Sequence, residues 1–279
     1  MTAGERSIRT GLFPASAGGP WLIRRFAASE GAAQLLAIAV LLGIWWAFSR
    51  WGGINPFLLP SPEVVGQRLL RQFNSGELAA NISATMYAAI AGFAIAVIIG
   101  VPLGLAMARN RIAGWFFAPI VSVGFPAPKL AFLPIFLLWF DVGASSKIVM
   151  VAFAAVFIVA SATAAGAAYV PRPLLWSAQS LGASRTAMLW QVIVPSALPQ
   201  ILNGLQIALP VCLITTIAAE MYVGGAGIGG AMLAASRFAN TPDVFAGLII
   251  SGATGLVLVR LIGWIRVKLL HWHAEARVK

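Results

Sequence analysis

Long apolar runs, separated by short polar breaks, set the pattern of this chain. Uncharged stretches occupy 31–49, 78–108, 112–140 (with Lys129 inside it), 148–170, 186–219, and 244–259 continuing past Arg260 to 265. Each is long enough to span a membrane, because about 20 residues rising ~1.5 Å each cross a hydrocarbon core of about 30 Å. The pattern predicts an all-α polytopic integral membrane protein with about six transmembrane helices. In the fifth run Pro195 and Pro199 stand early. The membrane helix there is expected to start near Ser196 and to leave 186–194 outside the bilayer.

The breaks carry their own patterns. Asn55 opens N-P-F-L-L-P-S-P, after which Ser61, Pro62 and Glu63 form a helix start that predicts a short outer-surface helix to Phe73. Pro171, Arg172 and Pro173 end the fourth span. From 174 to 194 apolar residues recur at near-helical spacing, interrupted by Gly182 and restarted at Ser184, which predicts a short cytoplasmic helical hairpin. Gly224 to Gly230 reads G-G-A-G-I-G-G. No Lys-Ser or Lys-Thr follows it and no strand precedes it, so it is expected to be a flexible or re-entrant turn and not a phosphate loop.

Composition strengthens the membrane reading. The chain is 60% hydrophobic and 10% charged, with a mean hydropathy of +0.89, whereas soluble domains carry about 25% charged residues. A formal charge of +11 would suggest nucleic acid in a soluble protein. Here the basic residues are scattered between apolar segments, as membrane flanks are, so lipid and not nucleic acid is the expected partner. With the amino terminus inside, twelve Lys and Arg fall on the cytoplasmic side and five on the other, which places both termini in the cytoplasm. The expected organisation is an amino-terminal tail over 1–30 carrying Arg6, Arg9, Arg24 and Arg25, a membrane domain over 31–270, and a tail over 271–279. The first apolar run is too long for the core of a signal peptide and reads as an uncleaved span.

Little in the chain points to chemistry. Cys212 is the single cysteine, so neither an intrachain disulfide nor a cysteine metal site forms, and it reads as a packing residue. His271 and His273 flank Trp272; two residues apart, they share no helix face, and an interfacial anchor is expected in place of a metal site. No catalytic triad, H-E-x-x-H helix or carboxylate pair is visible, so the chain is not expected to be an enzyme or to bind a cofactor itself. Two ionisable residues stand where lipid penalises charge, Lys129 in the third span and Glu220 at the outer end of the fifth. Either they line a solute pathway, or Lys129 pairs with carbonyls freed by Pro126 and Pro128 and Glu220 bonds the glycine turn after it.

The segment from Trp176 to Pro199 resembles the cytoplasmic signature loop of binding-protein-dependent ABC importer permeases. That pattern is Glu-Ala-Ala, three residues, Gly, nine residues, then Ile-x-Leu-Pro; here it reads Trp176-Ser177-Ala178, Gly182, and Val192-Ile193-Val194-Pro195. S-A-Q-S-L-G-A-S-R from Ser177, A-A-E-M from Ala218, L-P-S-P-E-V-V from Leu59 and L-P-I-F-L-L-W-F from Leu133 with Ser146-Lys147-Ile148 look like the taurine, alkanesulfonate and nitrate branch. Trp176 stands where the family has an acidic residue, and Asp141 where the branch usually has Gly.

The resemblance implies the MetI-like fold of type I importers and a permease subunit in the inner membrane of a bacterium for a small solute, such as a sulfonate, nitrate or carboxylate. It implies two permease copies, cytoplasmic ATPase subunits that alone bind ATP, and a periplasmic or extracytoplasmic solute-binding protein. The loop over 171–195 becomes the coupling element, with Trp176, Ser177, Ala178, Leu181, Gly182, Ala183, Val192 and Pro195 as its docking residues, and Lys129 and Glu220 stay the candidates for the pathway with both readings of each open. The competing reading is a secondary transporter or channel without an ATPase. No internal repeat supports that reading.

Overall fold

The computed structural model describes residues 30–270, helical almost throughout. Arg6, Arg9, Arg24 and Arg25, and the anchor at His271, Trp272 and His273, lie outside the described residues. Residues to Pro62 form one compact unit and those from Glu63 a second.

In the first unit, α1 (Glu30–Trp51) is the first span. The Pro-rich stretch after it folds back, so that Trp45 Nε1 donates to the Pro60 carbonyl at 3.1 Å. An Asn turn starts that stretch, Asn55 Oδ1 accepting from the Phe57 N–H at 2.9 Å.

The second unit begins with α2 (Pro62–Asn74), one residue longer than the sequence predicts. Its core is a close-packed trio of spans: α3 (Glu77–Arg109), α6 (Ala144–Ala168) and α9 (Val194–Val223). Small residues let the first two approach. On α3, Gly92, Ala96, Gly100 and Gly104 recur every fourth residue, and they face Val151, Ala155, Val159 and Thr163 at the same spacing on α6. A Cβ on Gly92 would stand 2.6 Å from Val151 Cβ, and one on Gly100 2.9 Å from Val159 Cβ. This is ridge-into-groove packing with backbones almost touching, the means by which membrane helices associate when lipid removes the hydrophobic drive between them. Ala208 and the fully buried Cys212 of α9 close the cluster. The last span, α11 (Thr241–Leu269), packs on α9 through Leu258 and Ile262 against Leu209 and Leu213.

The third run is not one straight helix. It is α4 (Arg111–Gly124), then a short 3₁₀ turn (Lys129–Phe132) leading into α5 (Leu133–Phe140), bent by 98°. Pro126 and Pro128 stand in the break, where each withholds an N–H and the helix cannot continue. Inclined aromatic rings pack at the bend, the Phe132 and Phe136 centroids lying 5.1 and 5.6 Å from that of Phe153 on α6. Counting that bent pair as one span gives six.

Three further expectations are corrected. The fifth span does not begin at Ser196: after α7 (Arg172–Ser180), helix resumes at α8 (Arg185–Met188) and runs through a π turn (Leu189–Ile193) straight into α9. The widened turn accommodates the Pro195 ring, which would otherwise strike the carbonyl four residues back. The fourth span begins at Ala144 and takes in Lys147, assigned from sequence to a loop. Only the first half of the glycine run is turn, with Gly224, Gly225 and Gly227 at φ 79, 86 and 122. Gly229 and Gly230 already lie in a further helix, α10 (Ile228–Arg237).

Candidate functional site

Glu220 stands in the last turn of α9 and is 1% exposed. Its backbone carbonyl accepts from the Gly224 N–H at 2.7 Å, which ends the helix. Its carboxylate works in the other direction. Oε2 accepts from the Gly229 N–H at 3.0 Å, and the Thr85 hydroxyl of α3 donates to the carboxylate, 3.0 and 2.9 Å from its two oxygens. Thr85 Oγ1 in turn accepts from the Ile228 N–H at 2.9 Å, and Asn81 Oδ1 from the Gly227 N–H at 3.3 Å.

The first turn of α10 therefore has no cap of its own, since Gly227 carries no side chain, and three residues from two other helices supply the missing acceptors. Orphan N–H groups carry partial positive charge, so a carboxylate is the acceptor best suited to them. A Cβ on Gly227 would collide with that carboxylate. Glycine is required there twice, by φ and by space.

Lys147 supplies the positive charge. It lies in the first turn of α6, is 8% exposed, and donates from Nζ to the Ala226 carbonyl at 3.3 Å. Its ammonium is near enough to attract the Glu220 carboxylate. Both residues line a cavity of about 360 Å³ with Tyr87, Val142, Gly224 and Ala226. Beside it Asp141 holds φ 67 and ψ 172, a conformation close to glycine's own. Its carboxylate compensates by accepting from the Val142 N–H at 2.7 Å.

Of the two candidate pathway residues, Glu220 sits in this cavity and bonds the helix after the glycine turn. Lys129 does not line it. It is half-buried at the bend of the third span, bonded to the Phe125 carbonyl, with Nζ 5.8 Å from the centre of the Phe125 ring. Sequence reasoning missed Lys147 and Thr85 as members of the cluster. The visible signal for Lys147 was a charge immediately before an apolar run.

The hairpin lies apart from this cavity. Leu181, 88% exposed, follows α7, and Gly182 turns the chain at φ 78. Ser177 and Ala178 accept from the Leu181 and Ala183 N–H groups at 3.1 and 3.0 Å, and Ser184 caps α8 by accepting from the Ala187 N–H at 3.2 Å. The hairpin's far side is anchored: Met188 and Ile193 are buried with Leu105, Ala197 and Ile201, and Val192 packs against them. Trp176 is 61% exposed, and Pro195 is exposed.

Residues 100–270 match the family described as binding-protein-dependent transport system inner membrane component. The chain belongs to this family. The taurine transport system permease protein TauC of Escherichia coli (strain K12) is 34% identical over 86% of this chain and 89% of its own. The riboflavin transport system permease protein RibX of Chloroflexus aurantiacus is 30% identical over 86% of this chain and 90% of its own. The fold matches that of a chain in the crystal structure of an amino acid ABC transporter with histidines, with a TM-score of 0.57 and 20% identity, covering 72% of this chain and 96% of that one. A chain of the inward-facing MetNI methionine ABC transporter in its CY5 native crystal form gives 0.53 and 19%, covering 67% and 96%. The molecule is thus a multi-pass permease of the ABC importer type, with the hairpin, Lys147, Glu220 and the start of α10 inside the matched residues.

Proposed function

We propose that this permease carries a small organic anion with a sulfonate or similar head, as one of two copies paired in the membrane. Both termini face the cytoplasm, an extracytoplasmic binding protein delivers the solute, and ATP is bound only by ATPase subunits docked on the hairpin over 171–195. The sulfonate assignment is supported by the likeness to a taurine permease, taurine being an aminosulfonate. Lys129, at the bend of the third span, is assigned to the solute path.

The observation that carries the docking is Leu181, an apolar side chain left 88% exposed at a glycine bend while the hairpin's far side is anchored in the membrane domain through Met188 and Ile193. Burying a leucine contributes roughly 1.5 to 3 kcal/mol, so a groove on the ATPase that takes it gains one to two decades in affinity. Trp176, Ser177, Ala178, Ala183, Val192 and Pro195 shape that contact or hold it in place. ATP-driven closure of the ATPases then moves the hairpin, and the unbroken helix from Arg185 through the π turn to Val223 carries that movement towards Glu220.

Leu181→Asp and Gly182→Val test this together, because aspartate at 181 also introduces the acidic group that Trp176 lacks. Both variants are expected to insert and fold, to lose the ATPase subunit on purification, and to lose ATP-driven taurine uptake. Retention of the ATPase and of coupled uptake by both removes the hairpin as the docking site.

A further inference from the structure

The placement of Lys147 is not explained by the helix-capping cluster alone. It is 8% exposed, yet among the described residues its ammonium makes one hydrogen bond, to the Ala226 carbonyl at 3.3 Å. An ammonium carries three donors, and a charge kept inside a membrane protein characteristically marks the path of a solute or ion. The opposite charge that attracts it, Glu220, is already engaged by Thr85 and Gly229. Glu220 thus moderates the positive charge without occupying it.

The space in front of Lys147 has the form of a small-ligand site. The cavity of about 360 Å³ lies within the range of such sites, roughly 300 to 1,000 Å³. Its floor, made of Lys147, Ala88 and Glu220, is buried, and its rim at Tyr87, Val142 and Ala144 is exposed. Val142 and Val223 offer apolar wall to a short carbon chain.

We infer that this cavity is a transient binding site for the anionic head of the transported solute, with Lys147 as its charge partner. The inference rests on the proposal that the substrate is a small organic anion. The ligand class is a sulfonate, or a carboxylate of similar size, on a short chain. Glu220 keeps the site weak, as passage requires, since a transport site must release what it captures.

The test uses the full-length permease in nanodiscs with Cys212→Ala and a reporter at the rim, Ala144→Cys. Two thiol reagents of similar size, one ending in a sulfonate and one in a quaternary ammonium, are compared by rate. The anionic reagent is expected to react about tenfold faster, and added ethanesulfonate to slow it more than equimolar chloride does. Lys147→Met is expected to abolish both effects and Lys147→Arg to keep them, with reaction towards a neutral maleimide confirming that the rim is intact. If Lys147→Met does not fold, the charge preference and the protection in the Ala144→Cys protein still decide. Equal rates for the two reagents, or chloride as effective as ethanesulfonate, would overturn the site. ATP-driven taurine uptake by the assembled transporter is measured separately: uptake without protection sinks this site alone, whereas protection without uptake sinks the transport proposal and leaves the site standing.

Discussion

Thr85 and Glu220 are 135 residues apart, yet the threonine hydroxyl lies 2.9 Å from a carboxylate oxygen and at the same time accepts from the Ile228 N–H. One side chain on α3 thereby ties the end of α9 to the start of α10. Glu220→Ala leaves the buried Gly229 N–H and the Thr85 hydroxyl without their acceptor, and each buried donor left unpaired costs about 1 to 3 kcal/mol, more where the lost partner is charged. Thr85→Val removes only the bridging hydroxyl and is expected to cost about 1 to 3 kcal/mol. Thermal unfolding of the solubilised permease, followed by tryptophan fluorescence, should rank wild type above Thr85→Val and Thr85→Val above Glu220→Ala. Equal stability of all three would mean the cluster holds nothing together.

Gly225 and Gly227 both have positive φ, at 86 and 122, but only Gly227 has the Glu220 carboxylate where a Cβ would go; nothing lies within 4 Å of one on Gly225. Gly225→Ala is therefore expected to cost only the strain of its backbone, about 1 kcal/mol, and Gly227→Ala that strain plus displacement of the carboxylate, at least about 2 kcal/mol more. The same unfolding measurement separates them. A Gly225→Ala variant as unstable as Gly227→Ala would contradict the geometry.

The spans were legible because their lengths are imposed by the bilayer, and the hairpin because Gly182 and Ser184 are local signals with local consequences. What sequence reading lost depends on partners distant in the chain. Lys147 reads as a loop charge until Ala226 and Glu220, from other elements, enclose it. The helix α10 is hidden because it starts inside a glycine run and its caps come from Asn81, Thr85 and Glu220. Pro126 and Pro128 announce a break, but the 98° turn also depends on Phe132 and Phe136 packing at an incline against Phe153, which no local pattern encodes.

Asp141 occupies a conformation that glycine adopts freely, φ 67 and ψ 172, at the position where the taurine, alkanesulfonate and nitrate pattern usually carries Gly. Backbone strain of this kind costs of order 1 to 3 kcal/mol, and its hydrogen bond to the Val142 N–H returns part of it. Asp141→Gly is expected to stabilise the permease by about 1 kcal/mol, and Asp141→Ala, which keeps the Cβ and loses the hydrogen bond, to destabilise it. Midpoints of denaturant unfolding read both signs. A destabilised Asp141→Gly variant would show that the aspartate is retained for its carboxylate and not despite its backbone.

Orientation is open to a direct test because the basic residues of the loops and tails expected from sequence divide twelve to five between the two faces, or twelve to four once Lys147 is counted within α6, and such a bias sets which loops stay in the cytoplasm. Arg172 opens the coupling hairpin and Arg237 closes α10. If the hairpin meets a cytoplasmic ATPase, these two residues must lie on opposite sides of the membrane, since one continuous helix, α9, separates the hairpin from the glycine turn before α10. Cys212 is fully buried in the core between α3, α6 and α9, so Cys212→Ala, a modest loss of volume, provides a background without competing thiols. In that background, Arg237→Cys is expected to react with a membrane-impermeant maleimide added to intact spheroplasts, and Arg172→Cys to react only after the membrane is opened. The reverse pattern would invert the molecule, put the hairpin outside, and leave Leu181 facing a compartment that holds no ATP.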